Sequence, residues 1–248
     1  MTMNIEATLA RRRLILALGR GKSGKTIWAR WLTEVMRAGG INPVVADADT
    51  YGGGLCRYEE GALRLNRNDG EHTWWDAVLS DSEDRIGRPV VVDFSLDQGV
   101  IDRVDPEGTD FRDRYAETGF DVTKVCFFAP DTGDADAFVH NGARVTATET
   151  LLVLNEGAPG ARGEHQFDSV LAHPAVREAI DHGARVARMP TLRSDLVAGR
   201  HEIPSLMGFS KLGVPGEEPL AFKRLAMRTW LERMETAFSP FGRELGLA

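Results

Sequence analysis

The feature that most constrains this chain is a glycine-rich turn between an apolar run and a helical pattern. Residues 14–26 read LILALGRGKSGKT, and the spacing Gly19-x-x-x-x-Gly24-Lys25-Thr26 satisfies the phosphate-binding P-loop pattern in full. Glycines let backbone N–H groups turn toward phosphate oxygens, and the N-terminus of the following helix adds partial positive charge. The sequence therefore predicts a nucleotide site between the first strand and the first helix.

The side chains of this loop have separate predicted roles. Lys25 is placed to bridge the β- and γ-phosphates of a nucleotide, and the Thr26 hydroxyl is placed to ligate Mg²⁺. A coincidental turn is the alternative, but residues 14–18 read as a buried strand and a helical apolar pattern follows the loop. The apolar positions of that pattern are Ile27, Trp28, Trp31, Leu32, Val35 and Met36. The predicted nucleotide-binding residues here are Gly19, Arg20, Gly21, Lys22, Ser23, Gly24, Lys25, Thr26 and Ile27.

Length and composition indicate a single cytoplasmic α/β domain. The 248 residues suffice for one substantial core, with 42% hydrophobic and 27% charged residues. No apolar run reaches the ~20 residues of a membrane span, and the apolar pentad after Arg11–Arg13 is too short for an export signal. Cys56 and Cys126 form neither a disulfide framework nor a metal site by themselves. The net charge of −7 argues against a surface that coats nucleic acid throughout, but it allows a local basic patch.

Two further strands are predicted to end on carboxylates. Residues 43–46 form a short apolar strand followed by Asp47 and Asp49, and residues 89–92 form another that ends at Asp93. In an open α/β sheet, ligands bind at the carboxyl ends of the strands. Asp93 has the form of a Walker B acid, which reaches Mg²⁺ through water, with an N-cap or turn residue as the alternative. The segment Tyr51–Gly54 is glycine-rich enough for a nucleotide-sensing switch loop.

Later segments repeat the alternation of strand and helix. Strands are predicted at residues 121–129, 150–155 and 184–189, and Asn155 ends the second of these. This alternation indicates βαβ units. The predicted fold is therefore α/β, with a mostly parallel central sheet flanked by helices on both faces, in one domain of residues 1–248.

Several helices are predicted from their apolar patterns, at residues 71–79, 135–146, 174–183 and 217–238. The adjacent Trp74 and Trp75 of the first are interpreted as core residues in preference to an interface. The last is an amphipathic C-terminal helix, interpreted as docked on the sheet. A helix that binds a second copy or a partner, and a helix that lies on a membrane surface, are its alternatives. Residues 55–70 carry no pattern that places them.

In this order, the segments resemble the ParA/MinD superfamily of deviant Walker A ATPases over about residues 14–190. The segment Asp47-Ala48-Asp49-Thr50 stands where that family usually has Asp-x-Asp-Pro. The resemblance implies that Asp47 orients the attacking water and that Asp93 is the Walker B acid. It also implies that Asn155 recognises the nucleotide base and that Met189-Pro190-Thr191 is a turn lying against the base.

The loop departs from the family pattern, which usually reads Gly-Lys-Gly-Gly-x-Gly-Lys-Thr. Arg20 replaces the signature lysine, which in that family reaches across an ATP-sandwiched dimer to the partner's phosphates. Arginine is bulkier and grips phosphate in a bidentate way, so it is not a simple substitute. Lys22, at a position where the family often has glycine, is a second cation that could compensate.

The resemblance implies an ATP-hydrolysing switch that uses Mg²⁺ and acts in plasmid or DNA partition, stability or conjugative transfer. Lys25, Asp47 and Arg20 would be the catalytic residues, and Thr26 and Asp93, with Asp47 beside them, would organise the metal. The expected partners are a second copy in the ATP-bound state and a protein that stimulates hydrolysis. Non-specific DNA could bind at Arg11–Arg13 or at the basic face of the C-terminal helix, although a solvated charged face is the simpler interpretation.

Two other functions fit the loop pattern. One is a P-loop kinase for a small molecule, or an ATP-dependent ligase related to dethiobiotin synthesis. The other is a nucleotide-binding scaffold that has lost hydrolysis. Acceleration of turnover by a small acceptor would favour the first, and the replacement of the signature lysine by Arg20 keeps the second open.

Overall fold

The computed structural model describes residues 11–49, 54–66, 70–83, 88–94, 100–101, 104, 111–142, 145–160, 163, 165–192, 196, 205–212 and 221–247. The described strands are β1 (Arg12–Leu18), β2 (Val44–Asp47), β3 (Leu63–Arg64), β4 (Val90–Asp93), β5 (Phe120–Phe128), β6 (Glu149–Asn155) and β7 (Arg185–Met189). The described helices are α1 (Lys25–Ala38), α2 (Glu71–Glu83), α3 (Phe111–Glu117), α4 (Thr132–Ala137), α5 (Asp168–Ala172), α6 (Pro174–Asp181), α7 (Leu206–Leu212) and α8 (Ala221–Phe238).

The strands form one parallel sheet in the order β3-β2-β4-β1-β5-β6-β7. Because every pair is parallel, all the carboxyl ends meet at one edge of the sheet. The register places Asp47 opposite Asp93 and Asn155 opposite Met189 at this edge. β1, which leads into the P-loop, lies in the middle of the sheet between β4 and β5.

Successive side chains of β1 point into two separate cores. Leu14 and Leu16 join the core that contains residues of α2, α3, α5 and α6. Ile15 and Ala17 join the core on the other face, which contains residues of α1, α7 and α8. A strand buried on both faces reads as a continuous apolar run, as β1 does. The predicted parallel α/β sheet with helices on both faces is confirmed.

The helix predicted at residues 135–146 is present, but it begins three residues earlier, and its second half is π-helical and ends at Gly142. The α4 helix begins at Thr132 because the Asp131 carboxylate accepts a hydrogen bond from the Gly133 N–H at 2.9 Å and caps it. It then continues as a π-helical turn over Phe138–Gly142. The helix predicted at residues 71–79 is longer, extending to Glu83. The short edge strand β3 lies within the stretch that no sequence pattern placed.

The adjacent tryptophans of α2 are buried, as predicted: Trp74 is 5% exposed and Trp75 is 3% exposed. The Trp75 Nε1–H donates to the hydroxyl of Tyr115 at 2.6 Å, and the Trp74 Nε1–H donates to the Leu63 carbonyl at 3.0 Å. Buried indoles need such partners for their one N–H group. The pair is therefore a core feature that fastens α2 to α3 and β3.

The basic run at residues 11–13 lies at the edge of the sheet opposite the P-loop. Arg11 and Arg13 pair with Asp121 at 2.9 and 3.7 Å, and the Arg12 guanidinium lies 4.1 Å from the centre of the Phe120 ring. These contacts tie the start of β1 to the start of β5. Of the three, Arg12 and Arg13 are largely buried side chains, with 15% and 12% exposed, so the run is not a freely solvated face.

The α8 helix docks on the sheet, as predicted, and its described part begins at Ala221. Its buried residues are Met227, Trp230, Met234 and Phe238. Phe222 and Leu225, nearer its beginning, are about half exposed. Among the residues that the structure describes, no helix combines the length and apolarity that crossing a membrane requires.

Candidate nucleotide-binding site

The P-loop residues enclose the amino group of Lys25. The Lys25 side chain is 7% exposed, and its Nζ donates to the carbonyls of Gly19 at 2.7 Å and Arg20 at 3.0 Å. Burial lowers the pKa of Lys25, and the carboxylates of Asp93, Asp49 and Asp134 oppose that shift. The lysine is thus held under the loop at the N-terminal end of α1, where P-loop proteins bind phosphate.

Replacing Gly24 by any other residue would distort this site. Its φ of 102° lies in the left-handed region, where a side chain is strained. A Cβ there would lie 2.4 Å from the Asn155 Nδ2 atom. The close approach lets the Asn155 Nδ2–H donate to the Ser23 carbonyl at 2.7 Å, while the Asn155 Oδ1 accepts from the Gly157 N–H at 2.9 Å. Asn155 therefore ties the end of β6 to the P-loop.

Thr26 and Asp93 meet as the metal-site prediction requires. The Thr26 hydroxyl donates to the Asp93 Oδ2 at 2.6 Å. Burial raises the pKa of Asp93 to about 6, against the opposing effects of Lys25 and the Thr26 hydrogen bond. A hydroxyl and a carboxylate oxygen are hard donors that fit Mg²⁺. Across the described ranges no group of three His, Cys, Asp or Glu could hold a metal alone. Protein-bound Mg²⁺ commonly takes its other ligands from water and from the phosphates of a substrate.

The raised pKa of Asp93 predicts how stability depends on pH. Its folded carboxyl keeps a proton up to about pH 6, whereas the ordinary value is 3.8, so the folded state binds more protons between these values. Raising the pH through that window therefore lowers stability. Asp93→Asn mimics the protonated group at every pH. We expect the unfolding free energy of nucleotide-free wild type minus that of Asp93→Asn to fall between about pH 4 and 6 and then level off. A constant or rising difference would contradict this.

Asp47 is fully buried, and its carboxylate is bound to backbone amides. Oδ1 accepts from the Asp49 N–H at 2.9 Å, and Oδ2 accepts from the N–H groups of Leu55 and Cys56 at 2.8 and 2.9 Å. Three such bonds fix the chain that leaves β2 and the chain that returns at residue 55. Asp47 is therefore an anchor for this loop. The predicted switch loop at residues 51–54 lies outside the described residues except for Gly54.

Asp49 is a site residue that sequence reasoning left without a role. Its carboxylate raises the pKa of both Lys25 and Asp93, which places its negative charge near the phosphate end of the site. The signal was present in the sequence, because Asp49 is the second acid of the Asp-x-Asp pair. A half-buried carboxylate at this place can act on water or on metal-bound water.

A cavity of about 580 Å³ lies along α1 beside the P-loop. Its lining residues are Lys22, Gly24, Thr26, Ile27, Arg30, Tyr58, Asn155, Gly157, Met189 and Leu192. A volume of this size suits a nucleoside. Lys22, Ile27, Asn155 and Met189 were predicted here and are brought together. Pro190 and Thr191 turn their polar groups elsewhere: the Pro190 carbonyl accepts from Trp230 Nε1, and the Thr191 hydroxyl donates to the Glu156 carbonyl.

Arg30 and Tyr58 line the cavity without having been predicted. Arg30 is 3% exposed, and its guanidinium carbon lies 3.6 Å from the centre of the Tyr58 ring. Such a stack is a favourable cation–π contact. Arg30 follows Thr26 by four residues and so shares its helix face, which the sequence could have indicated. Tyr58 lies in the segment that carried no pattern.

The Arg20 guanidinium is paired inside the chain. Its Nη1 donates to Asp131 Oδ2 at 3.1 Å and to Asp134 Oδ1 at 3.3 Å, and the side chain is about half exposed. The other loop residues are arranged around the lysine. Gly21 and Lys22 are exposed at the tip, where Lys22 has a φ of 65°, and the Ser23 hydroxyl is buried without a hydrogen-bond partner among the described residues.

The solved structures that resemble this fold are P-loop proteins. The signal recognition particle receptor FtsY from Elizabethkingia anophelis is 12% identical, with a TM-score of 0.51 over 74% of this chain and 60% of the receptor. Its GDP complex is 13% identical, with a TM-score of 0.47 over 68% of this chain and 56% of the receptor. The cell division protein MinD from Aquifex aeolicus is 14% identical, with a TM-score of 0.39 over 90% of this chain and 97% of MinD.

This chain thus spans less than two thirds of the length of the two FtsY structures. No protein-family profile and no curated protein matches its sequence. At this identity, the likeness concerns the fold. The seven described strands in parallel order, with helices on both faces and a P-loop between β1 and α1, form a P-loop nucleoside-triphosphatase fold.

Proposed function

We propose that this protein is a Mg²⁺-dependent ATP-hydrolysing switch. The observation that carries the proposal is the convergence of Lys25, Thr26 and Asp93 at the carboxyl edge of the sheet, where α1 begins. A buried cation, a hydroxyl and a carboxylate at a helix N-terminus are the groups that bind a triphosphate and its metal. Such sites act by positioning and charge stabilisation, so these side chains form the centre of a site for phosphoryl transfer to water, in which a further residue orients the water.

Within this proposal, Lys25 and the P-loop amides hold the phosphates, and Thr26 and Asp93 organise the Mg²⁺. Asp47 supports the attack on the γ-phosphate by fixing the loop that contains Asp49. Asp49 is half-buried, and its carboxylate acts on the charges of both Lys25 and Asp93, so we take it as the better candidate to orient water. When bound, Mg²⁺ supplies neutralisation of charge that develops on the phosphates.

The cavity supports ATP over GTP. Guanine presents two N–H donors on its pairing edge, and one carboxylate can accept hydrogen bonds from both. A site without such an acceptor discriminates against guanine. The described residues that line the cavity include no Asp or Glu. Met189 and Leu192 provide an apolar wall for the base. Asn155, whose side chain is an uncharged amide, also lines the cavity. The FtsY complex with GDP makes guanine nucleotides the competitor to test.

The experiment that tests this function is a calorimetric titration of the purified protein with ATP, ADP and GTP in the presence of Mg²⁺, followed by phosphate-release assays. We expect ATP to bind at least about tenfold more tightly than GTP, as a missing pair of base hydrogen bonds implies, and to be hydrolysed slowly. Failure to bind either triphosphate would refute nucleotide binding. Equal affinities would refute the assignment to ATP, and turnover only with a small acceptor would favour a kinase or ligase.

The resemblance to the ParA/MinD superfamily supports a finer role. In that role, two copies associate in the ATP-bound state, a partner protein accelerates hydrolysis, and the switch serves plasmid or DNA partition, stability or conjugative transfer. The molecular mass in solution, measured with ADP and with a non-hydrolysable ATP analogue, tests the association directly. A mass that doubles with the analogue alone supports this role, and an unchanged mass contradicts it.

A further inference from the structure

The side chain of Arg20 lies in an acceptor site formed by its own chain. Asp131, the N-cap residue of α4, and Asp134, in its first turn, both accept from the single nitrogen Nη1. Each carboxylate is also held by a backbone amide. The other oxygen of Asp131 accepts from the Gly133 N–H at 2.9 Å, and the other oxygen of Asp134 accepts from the Ala129 N–H at 2.6 Å. The two acids are therefore oriented independently of Arg20, as a preorganised acceptor pair requires.

Gly133 shapes the same site from the backbone. A Cβ at this position would lie 2.7 Å from Arg20 Nη1, so the guanidinium rests against the place that a side chain would fill. A larger residue would require the tip of the arginine to shift away from this position. Three features of the α4 turn thus fit one side chain of the P-loop: two fixed carboxylates and a missing Cβ.

Withdrawal of Arg20 would leave a carboxylate buried. The Asp134 side chain is 5% exposed, burial raises its pKa, and Arg20 is the neighbouring cation that opposes this shift. Removing the cation beside a buried carboxylate leaves that charge less compensated, which is unfavourable. Moreover, the Arg20 carbonyl accepts from Lys25 Nζ at 3.0 Å, so the position of Arg20 helps to set the position of the catalytic lysine.

We propose that Arg20 acts within its own chain, as a tether between the P-loop and the α4 turn that positions Lys25. On this view it does not cross a dimer interface to reach a partner's phosphates. This inference rests on the proposed function, because it concerns how the ATP site is assembled. It replaces the trans role that the ParA/MinD resemblance implies for the residue at this position. Arg20 is accordingly a positioning residue.

Mixing two impaired variants separates the cis role from the trans role. Arg20→Ala keeps Lys25, and Lys25→Ala keeps Arg20, so a mixed dimer would regain one complete site if Arg20 acted in trans. We expect the ATPase rate of an equimolar mixture to equal the mean of the two separate rates. A mixture that is severalfold faster than that mean would overturn the proposal. If the wild-type protein neither binds nor hydrolyses ATP, the proposed function is refuted, and this result is obtained without the mixing experiment.

Gly133→Ala provides a second test that leaves the arginine in the chain. We expect it to weaken binding of a non-hydrolysable ATP analogue to within about threefold of Arg20→Ala, roughly tenfold below wild type, as loss of a charge-assisted bond implies. The double variant should bind no more weakly than either single variant. Gly61→Ala is the matched control, since nothing lies within 4 Å of a Cβ there. Additive losses in the double variant would contradict a shared contact.

A third measurement needs no nucleotide. If the tether neutralises Asp134, Arg20→Ala should lower the melting temperature and Asp134→Asn should restore part of that loss in the Arg20→Ala background. The restoration arises because asparagine removes the uncompensated buried charge. A further loss of stability on adding Asp134→Asn would refute the tether even if the protein binds no ATP.

Discussion

Replacement of Lys25 by alanine is expected to lower kcat/KM for ATP by at least about 100-fold, because one buried donor to a transferring phosphoryl group is removed. The amino group is almost fully shielded from water and is already aimed under the loop by two carbonyl acceptors. Its charge therefore acts in a medium where electrostatic effects are much stronger than in water. The measurement is the rate of phosphate release at several ATP concentrations.

Lys223→Ala is the matched control for this substitution, because Lys223 lies on α8, away from the residues that line the nucleotide cavity. We expect it to retain the wild-type kcat/KM. Melting temperatures of both variants verify that the fold is intact. A Lys25→Ala protein that hydrolyses ATP within a fewfold of the wild-type rate would show that the P-loop pattern does not mark the reaction site.

Replacement of Asp47 by alanine is expected to destabilise the protein and to slow ATP hydrolysis. Three backbone N–H groups near the end of β2 lose their acceptor. Unsatisfied buried groups cost about 1–3 kcal/mol each, and with water entering the site we expect a total of about 3 kcal/mol. For a chain of this size that corresponds to a fall of about 6–12 °C in the melting temperature. Scanning calorimetry of the nucleotide-free protein measures it.

Asp49→Ala distinguishes an anchoring acid from one that acts in the reaction. Asp49 is half-buried, and its charge influences Lys25 and Asp93. We expect this variant to lose less stability than Asp47→Ala, because only Asp47 holds three backbone N–H groups, and to hydrolyse ATP more slowly. For Asp47→Ala, an unchanged melting temperature would refute the anchoring role. A wild-type rate of ATP hydrolysis by Asp47→Ala would remove Asp47 from the proposed function.

Much of the fold was predictable because parallel strands buried on both faces leave a strong apolar signal. β1, β4 and β6 were placed within one or two residues by continuous apolar runs that end at Gly19, Asp93 and Asn155. β3 was not predictable: two residues, Leu63 and Arg64, give no periodicity, and only pairing with β2 makes them a strand. The π-helical turn after α4 likewise depends on tertiary packing and has no local pattern.

The candidate site was predictable where spacing along the chain determines geometry. The loop motif located Lys25 and Thr26, and the strand-end acid located Asp93. The roles of Asp47 and Asp49 could not be separated from sequence, because they depend on which of two nearby carboxylates turns inward to accept backbone N–H groups. The same limit applies to Arg20: the acids that pair with it, Asp131 and Asp134, lie more than a hundred residues away and meet it through the β1–β5 pairing.

The tryptophans of α1 have a consequence for synthesis. Trp28 and Trp31, on the helix that begins at Lys25, pack within 6.1 and 5.1 Å of the Phe238 ring of α8. During translation, Trp28 and Trp31 are synthesised some two hundred residues before Phe238 of α8, which packs against them. We therefore expect the nascent chain to expose an aggregation-prone aromatic surface through most of translation and to require chaperones that bind it during that time. Because the lining of the proposed nucleotide site extends to Leu192, a nucleotide would then bind late in synthesis and stabilise the folded protein, and it would not initiate folding.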